Sequence, residues 1–315
     1  MWKNFLRINS VLFVLLLILV LMMPVFSPVL AQSVEYAPKV VAFRGEYLLT
    51  HKAVLSYLFM TKDAKIERDI KNLQVSLGLA DSEMTALRNI ALNEAKALMG
   101  LKEKSLKAIS YNKQVEEIGM NTLTLTRHVL GKKHDKFLKW IEEWWLQEAK
   151  YRNNIMIMNQ RVKASVDRIY VYATQYYGHT SFEVALPDKY VKFANLGWWH
   201  PSAYNNPPYT VNVWNPDTNK AVLGVEVREV GPWNENDNYW DSAYGSNHRR
   251  KFRDLSLGTP ESYAAYYRDY NGGKDEFGRS VTNPAGIDLT PDVAKQLGLR
   301  PLQNAWVWVR YSDLP

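Results

Sequence analysis

From Tyr47 to about Tyr176, apolar residues recur three and four positions apart with few breakers, which is the helical period. Leu48, Leu49, Ala53, Val54, Tyr57 and Leu58 form a first stripe; Ile66, Ile70, Leu73 and Leu77 form a second that Gly78 closes. Asp81 stands as the cap of a further helix that carries Met84, Leu87, Ile90, Ala91, Ala95 and Leu98 and ends at Gly100. Two longer helices are expected from Lys102 to Leu130 and from Lys133 to Ala173, separated by Gly131. Together they predict an up-and-down bundle or an elongated helical hairpin. Beyond Gly178 and Pro187 the period changes. Gly, Pro, Asn, Trp and Tyr become frequent, and the segments Val211 to Trp214, Val222 to Val230 and Ala305 to Tyr311 read as strands. The expected fold is α+β, with a helical domain over residues 32–177 and a strand-rich domain over 190–315.

Within the second half, Val225, Val227 and Glu229 share one face of an alternating strand, and Glu226 and Arg228 share the other. If the valines face a core, Glu229 sits at its mouth. Gly231-Pro232 stops the strand, and Gly286-Ile287-Asp288-Leu289-Thr290-Pro291 answers it downstream, followed by Leu297-Gly298. Thr290 before Pro291 marks the start of a short helix. These segments resemble the double-psi β-barrel of the rare lipoprotein A-like and expansin families, in which a strand ending Asp-x-Gly-Pro is followed by Ile-Asp-Leu-Ser, a short helix and Leu-Gly. Tyr209 to Trp214 and the turn Asn215 to Lys220 are similar to the entry hairpin of those families. The resemblance covers the last third of the chain. It implies a six-stranded double-psi barrel, here with a long insertion of roughly 50 residues between Pro232 and Ile287, well beyond ordinary loop length.

The resemblance also implies chemistry. In lytic members of these families an acid in the barrel groove protonates the glycosidic oxygen, and the muramic 6-hydroxyl attacks internally; Asp288 matches that acid. The plainer role for Asp288 is to hold backbone groups at the turn into the short helix. A conventional glycoside hydrolase needs two carboxylates about 5 to 9 Å apart, for which Glu229 is the candidate; alternatively Glu229 pairs with Arg228, Arg249 or Arg250. As in expansins, the same groove could hold glycan without cleaving it, and Glu229 in place of the usual Asp leans that way. Within the insertion, Trp233, Tyr239, Trp240, Asp241 and Arg249 combine aromatic faces for sugar rings with groups that bond hydroxyls. The competing reading makes the insertion aromatics a small second core, and the helix-like spacing of Tyr263, Tyr266 and Tyr267 supports it for those residues.

The ends and the composition set the surroundings. Lys3 and Arg7, an apolar run from Val11 to Met23, Pro24 and then Val29-Leu30-Ala31 predict a signal peptide over residues 1–31. A retained anchor is the rival, but the run is shorter than the ~20 residues of a spanning helix. With no cysteine, neither a disulfide framework nor a lipid-modified Cys is available. The net charge of +7, together with export, points to anionic envelope polymers or lipid headgroups rather than nucleic acid. The six histidines form no zinc signature, and Lys274 within Asn271 to Arg279 makes that segment a tight turn rather than a calcium loop. No metal or cofactor is expected. Trp140, Trp144 and Trp145 predict a packed helix face; the lysines flanking them leave open a protein partner or a membrane surface. The sequence therefore predicts an exported envelope protein that binds, and as a lytic transglycosylase or glycoside hydrolase would remodel, peptidoglycan or another wall polysaccharide. The alternative is a non-catalytic structural or assembly protein acting through the helices.

Overall fold

The computed structural model describes residues 43–102, 106–162, 168–178, 180–188, 210–240 and 250–311. The segment expected to be a signal peptide lies outside these residues, as do Asp241 and Arg249. The chain is α+β, with N-terminal helices and a C-terminal closed six-strand barrel. Among the described residues no helix is long and apolar enough to cross a membrane.

The helices are α1 (Gly45–His51), α2 (Val54–Met60), α3 (Ala64–Leu77), α4 (Asp81–Lys102), α5 (Ala108–Leu130) and α6 (His134–Val162). The first apolar stripe is two helices rather than one, because Ala53 takes a left-handed backbone conformation between them. Asp63 caps α3, accepting from the backbone N–H groups of Lys65 and Ile66 at 2.8 and 3.0 Å. Gly78 ends α3 in the left-handed conformation that glycine adopts without a steric cost. Helix α4 runs through Gly100, where an end was expected, to Lys102. The aromatic stripe of α6 is core: Phe137, Ile141, Trp144 and Trp145 are all buried.

The strands are β1 (Thr61–Lys62), β2 (Arg168–Gln175), β3 (Val184–Leu186), β4 (Thr210–Asn215), β5 (Lys220–Val230), β6 (Ala285–Leu289) and β7 (Asn304–Tyr311), with helix α7 (Glu261–Arg268) in the long insertion and α8 (Pro291–Gln296) between β6 and β7. Around the barrel the order is β7-β2-β6-β3-β5-β4, and β4 pairs back to β7. The short β1 adds to the start of β7 in parallel, bringing the helical segment onto the sheet. Two adjacent pairs, β2–β6 and β3–β5, are parallel, and the other barrel pairs are antiparallel. Exchanging β2 with β5, β3 with β6 and β4 with β7 maps this ring of pairings onto itself.

Strand β2 lies in the stretch whose spacing suggested the end of a long helix. The reason is burial on both faces. Ile169, Val171 and Ala173 fill the barrel interior, while Tyr170 and Tyr172 join Trp306 of β7 in a core shared with the helices. A strand covered on both sides reads as a continuous apolar run and loses its alternation. By contrast, β4 alternates buried and half-buried positions, as a strand with one open face does. The shared core also takes in Tyr263, Tyr266 and Tyr267 of α7, so these tyrosines pack between helices and barrel, with Trp145 stacked on Tyr267 at 5.3 Å between ring centroids.

Helix α7 begins at a buried carboxyl. Glu261 accepts from the Asn234 amide at 2.8 Å, and its own backbone N–H donates to Asp237 at 2.5 Å. Burial first, then the charges of Asp237, Asp275 and Glu276, push its carboxyl from the ordinary 4.5 up to about 8. In the folded chain Glu261 therefore keeps a proton that the unfolded chain has released, and stability falls as pH rises from 4.5 toward 8. We expect Glu261→Gln to flatten this fall, by up to about 1.4 kcal/mol per pH unit across the window. Urea midpoints measured at pH 5, 6.5 and 8 check this, and parallel slopes for both proteins would count against it.

Candidate functional site

Two bulges decide which side chains leave the barrel. Between β2 and β6 the register shifts so that Tyr172 lies opposite Ala285 but Ala173 opposite Ile287. Between β3 and β5, Val184 lies opposite Val227 but Ala185 opposite Glu229. A bulge inserts one residue and swaps the inward and outward sets beyond it. Glu229 therefore does not share the inner face of Val225 and Val227, as strict alternation implied; it points outward. Thr174, Asp288, Ala185 and Glu229 form one row on the outer face of β2, β6, β3 and β5. Two strand spacings separate the backbones of Asp288 and Glu229, about 9.6 Å.

Asp288 stands at the floor of a cleft of about 690 Å³. One wall is the corner after β5, from Val230 through the cis Gly231-Pro232 bond to Trp233, Asn234 and Glu235. Another is the chain leaving β2, Gln175, Tyr176 and Tyr177. Phe277 and Arg279 close a third side, and α4 reaches over from the helices with Met99 and Lys102. Asp288 is 6 % exposed; one carboxylate oxygen accepts from the Thr174 hydroxyl, and the other lies 3.9 Å from the Lys102 ammonium.

Trp233 is held firmly. Its backbone φ is +60°, a conformation costing a non-glycine residue about 1–3 kcal/mol. Neighbours hold it there: the indole N–H donates to Asn283 at 3.1 Å, and Arg279 donates to the Trp233 carbonyl at 2.5 Å. Tyr176 donates to Glu183 at 3.0 Å. Burial first, and then the negative charges of Glu183, Glu229 and Asp288, push its phenol well above the ordinary range. Glu229 itself accepts from the backbone N–H of Val230 at 2.9 Å and is not among the residues lining the cleft. Of its expected partners, Arg228 pairs with Glu226 at 2.5 Å and Arg250 with Asp237 at 3.2 Å.

The sugar-platform residues inferred from the sequence separate here. Trp233 lines the cleft but is buried, packing in the core shared with the helices. Tyr239 and Trp240 do not: both pack in the barrel core, Tyr239 donating to the Gly286 carbonyl at 2.9 Å and Trp240 stacking on Tyr311 at 4.7 Å between ring centroids. Two other aromatics line the cleft and are exposed there, Tyr177 at 72 % and Phe277 at 47 %. Tyr177 lies two residues past the end of β2, and Phe277 sits in the turn after α7. The turn itself is built on Asp275, which accepts from the N–H groups of Phe277 and Arg279 at 3.0 and 2.8 Å and from the Arg279 side chain at 2.6 Å. Among the described residues, no three of the His, Cys, Asp and Glu side chains are grouped to hold a metal ion.

No curated protein and no solved structure matches the chain. Residues 160–310, which include the insertion and all of the barrel but the last residue of β7, match a family model described as a domain of unknown function, DUF8814.

Proposed function

We propose that this chain is an exported cell-envelope protein whose barrel is of the double-psi kind and whose cleft holds a strand of peptidoglycan or another wall polysaccharide. One observation carries the reading: the two segments that bear the family resemblance, Val225 to Trp233 and Gly286 to Pro291, both reach one cleft, the first lining it with Val230 to Trp233 and the second with Asp288. The self-mapping ring of strand pairings supports the double-psi assignment, because two interlocked three-strand halves generate that symmetry. Tyr177 and Phe277 offer apolar faces for sugar rings, the buried Trp233 backs the wall between them and the helices, and Lys102, Asn234 and Gln175 offer donors for hydroxyls.

Asp288 is the acid of the proposed reaction. Its proton passes to the glycosidic oxygen as the bond to C1 breaks, the muramic 6-hydroxyl oxygen bonds to C1, and the hydroxyl proton returns to the carboxylate. Glu229, directed onto its own strand, has no part in that cycle. Binding without cleavage is the second reading, and the engagement of Asp288 by both Thr174 and Lys102 favours it. Mass spectrometry of the soluble products from peptidoglycan sacculi, incubated with the full-length chain or Asp288→Asn, separates the two. Anhydromuramyl fragments lost in the variant establish the lytic reaction. Co-sedimentation without products establishes a binding module, and no association with sacculi overturns the proposal.

A further inference from the structure

The cleft above Asp288 does not end at Tyr177. Met99, Gln175, Tyr176 and Tyr177 also wall a second hollow of about 480 Å³, which runs on past Lys295 and Arg300. The joined groove is lined by five cationic side chains, Lys102, Lys107, Arg279, Lys295 and Arg300, against three acidic ones, Glu235, Asp288 and Asp292. Arg279 is committed to Asp275 and the Trp233 carbonyl.

Lys102 is different. Its ammonium lies 3.9 Å from Asp288, beyond hydrogen-bond reach, and 5.1 Å from the centre of the Trp233 ring. It makes no hydrogen bond to the described residues, and its side chain is 25 % exposed within the groove wall. Three N–H donors on a fixed positive charge thus face a cleft whose aromatic walls suit sugar rings. Burial on the Trp233 face weakens solvent screening around that charge. A neutral sugar would take one hydroxyl contact from it; a carboxylate satisfies both the charge and the donors.

We propose that Lys102, delivered by the helical segment into the barrel cleft, is an anion-recognition residue, and that the groove therefore takes an acidic glycan, seating a carboxylate of the polymer beside Asp288. This rests on the glycan reading of the cleft. The ligand carboxylate and Asp288 share the one ammonium between them.

The test compares binding of the full-length chain to native sacculi and to sacculi whose carboxyls have been amidated, by co-sedimentation over a range of sodium chloride concentrations. A parallel arm uses uronic-acid oligosaccharides and the same oligosaccharides after carboxyl reduction. Native material is expected to bind about tenfold more tightly than amidated material, the difference shrinking as salt rises. Lys102→Met should lose that preference and Lys102→Arg keep it. Preference for native sacculi alone identifies a carboxylate peculiar to the wall polymer, and preference in both arms identifies a sugar carboxylate in general. Equal binding of native and amidated sacculi by the unaltered chain overturns the inference while leaving glycan binding in place. Binding to neither overturns both. Because the chemical modification is made on the ligand, the result does not depend on how any variant folds.

Discussion

Replacing Arg152 with methionine is expected to lower the stability of the chain by about 3–5 kcal/mol, the effect of breaking a buried ion pair from one side. Arg152 is 1 % exposed and donates to Glu148 at 2.6 Å and to Asp63 at 2.8 Å. Glu148 is wholly buried and also receives the Tyr57 hydroxyl and the Lys65 ammonium, both at 2.7 Å. Burial pushes the Glu148 carboxyl up, but the charges of Arg152 and Lys65 outweigh it and hold the group below its ordinary range. Methionine fills much of the volume yet leaves two buried carboxylates with a single cation between them. The guanidinium also lies 4.7 Å from the centre of the Trp306 ring, and Tyr57 receives the Trp306 indole N–H at 3.3 Å, so one network spans α2, α6 and β7. Unfolding in urea, followed by far-ultraviolet circular dichroism for the helices and tryptophan fluorescence for the core, should show one transition moved to lower denaturant by both probes. Loss of less than 1 kcal/mol, or helices and core that melt apart in the unaltered chain, would sink this account.

Gly119→Val carries the second large effect, at least about 3 kcal/mol, the upper end for overpacking. A side chain at this position of α5 would run into the backbone of Thr50 in α1, including its carbonyl oxygen, and backbone cannot move aside as a flexible side chain can. At the other side of α1, Gly45 meets the backbone of Leu138 in α6 in the same way. Helix α1 is thus clamped between two longer helices at contacts that only glycine allows. Gly100, in the last part of α4, has open space around it, and Gly100→Ala should instead stabilise by about 0.5–1 kcal/mol through helix propensity. Thermal unfolding of the two variants beside the parent checks both signs at once. A stable Gly119→Val protein would mean that α1 is free to shift.

How much of this was legible in the sequence depended on which force set each element. The helices α3 to α6 announced themselves because each buries one stripe and exposes the rest. The entry to α8 was equally plain, since Thr290 and Pro291 act through local backbone geometry. Strand β2 was hidden because two different cores claim its two faces. The orientation of Glu229 was hidden for another reason: a bulge is a property of the pairing with β3, and nothing in Val225 to Glu229 marks the extra residue. Asp288 was found through its motif and does lie in a cleft. Tyr177 and Phe277 were missed because an exposed aromatic in a loop has no periodicity to betray it. Lys102 was missed because its significance comes from a barrel residue far along the chain, and one lysine near a helix end is among the least informative signals a sequence carries. Tyr239 and Trp240 misled through composition: an aromatic-rich insertion looks the same whether it roofs a core or lines a groove.

The wall formed by Tyr170, Tyr172, Trp306 and Trp308 bears on how this β-rich half can be reused. Another chain built on the same half with a different neighbour must roof that wall with a surface of its own, because left bare it would be a large adhesive patch. In this chain the roof is also part of the cleft, since the helix that helps cover the barrel sends Met99 and Lys102 to its rim. If the groove holds a ligand as proposed, exchanging the roof would change the rim that ligand meets without altering one barrel residue.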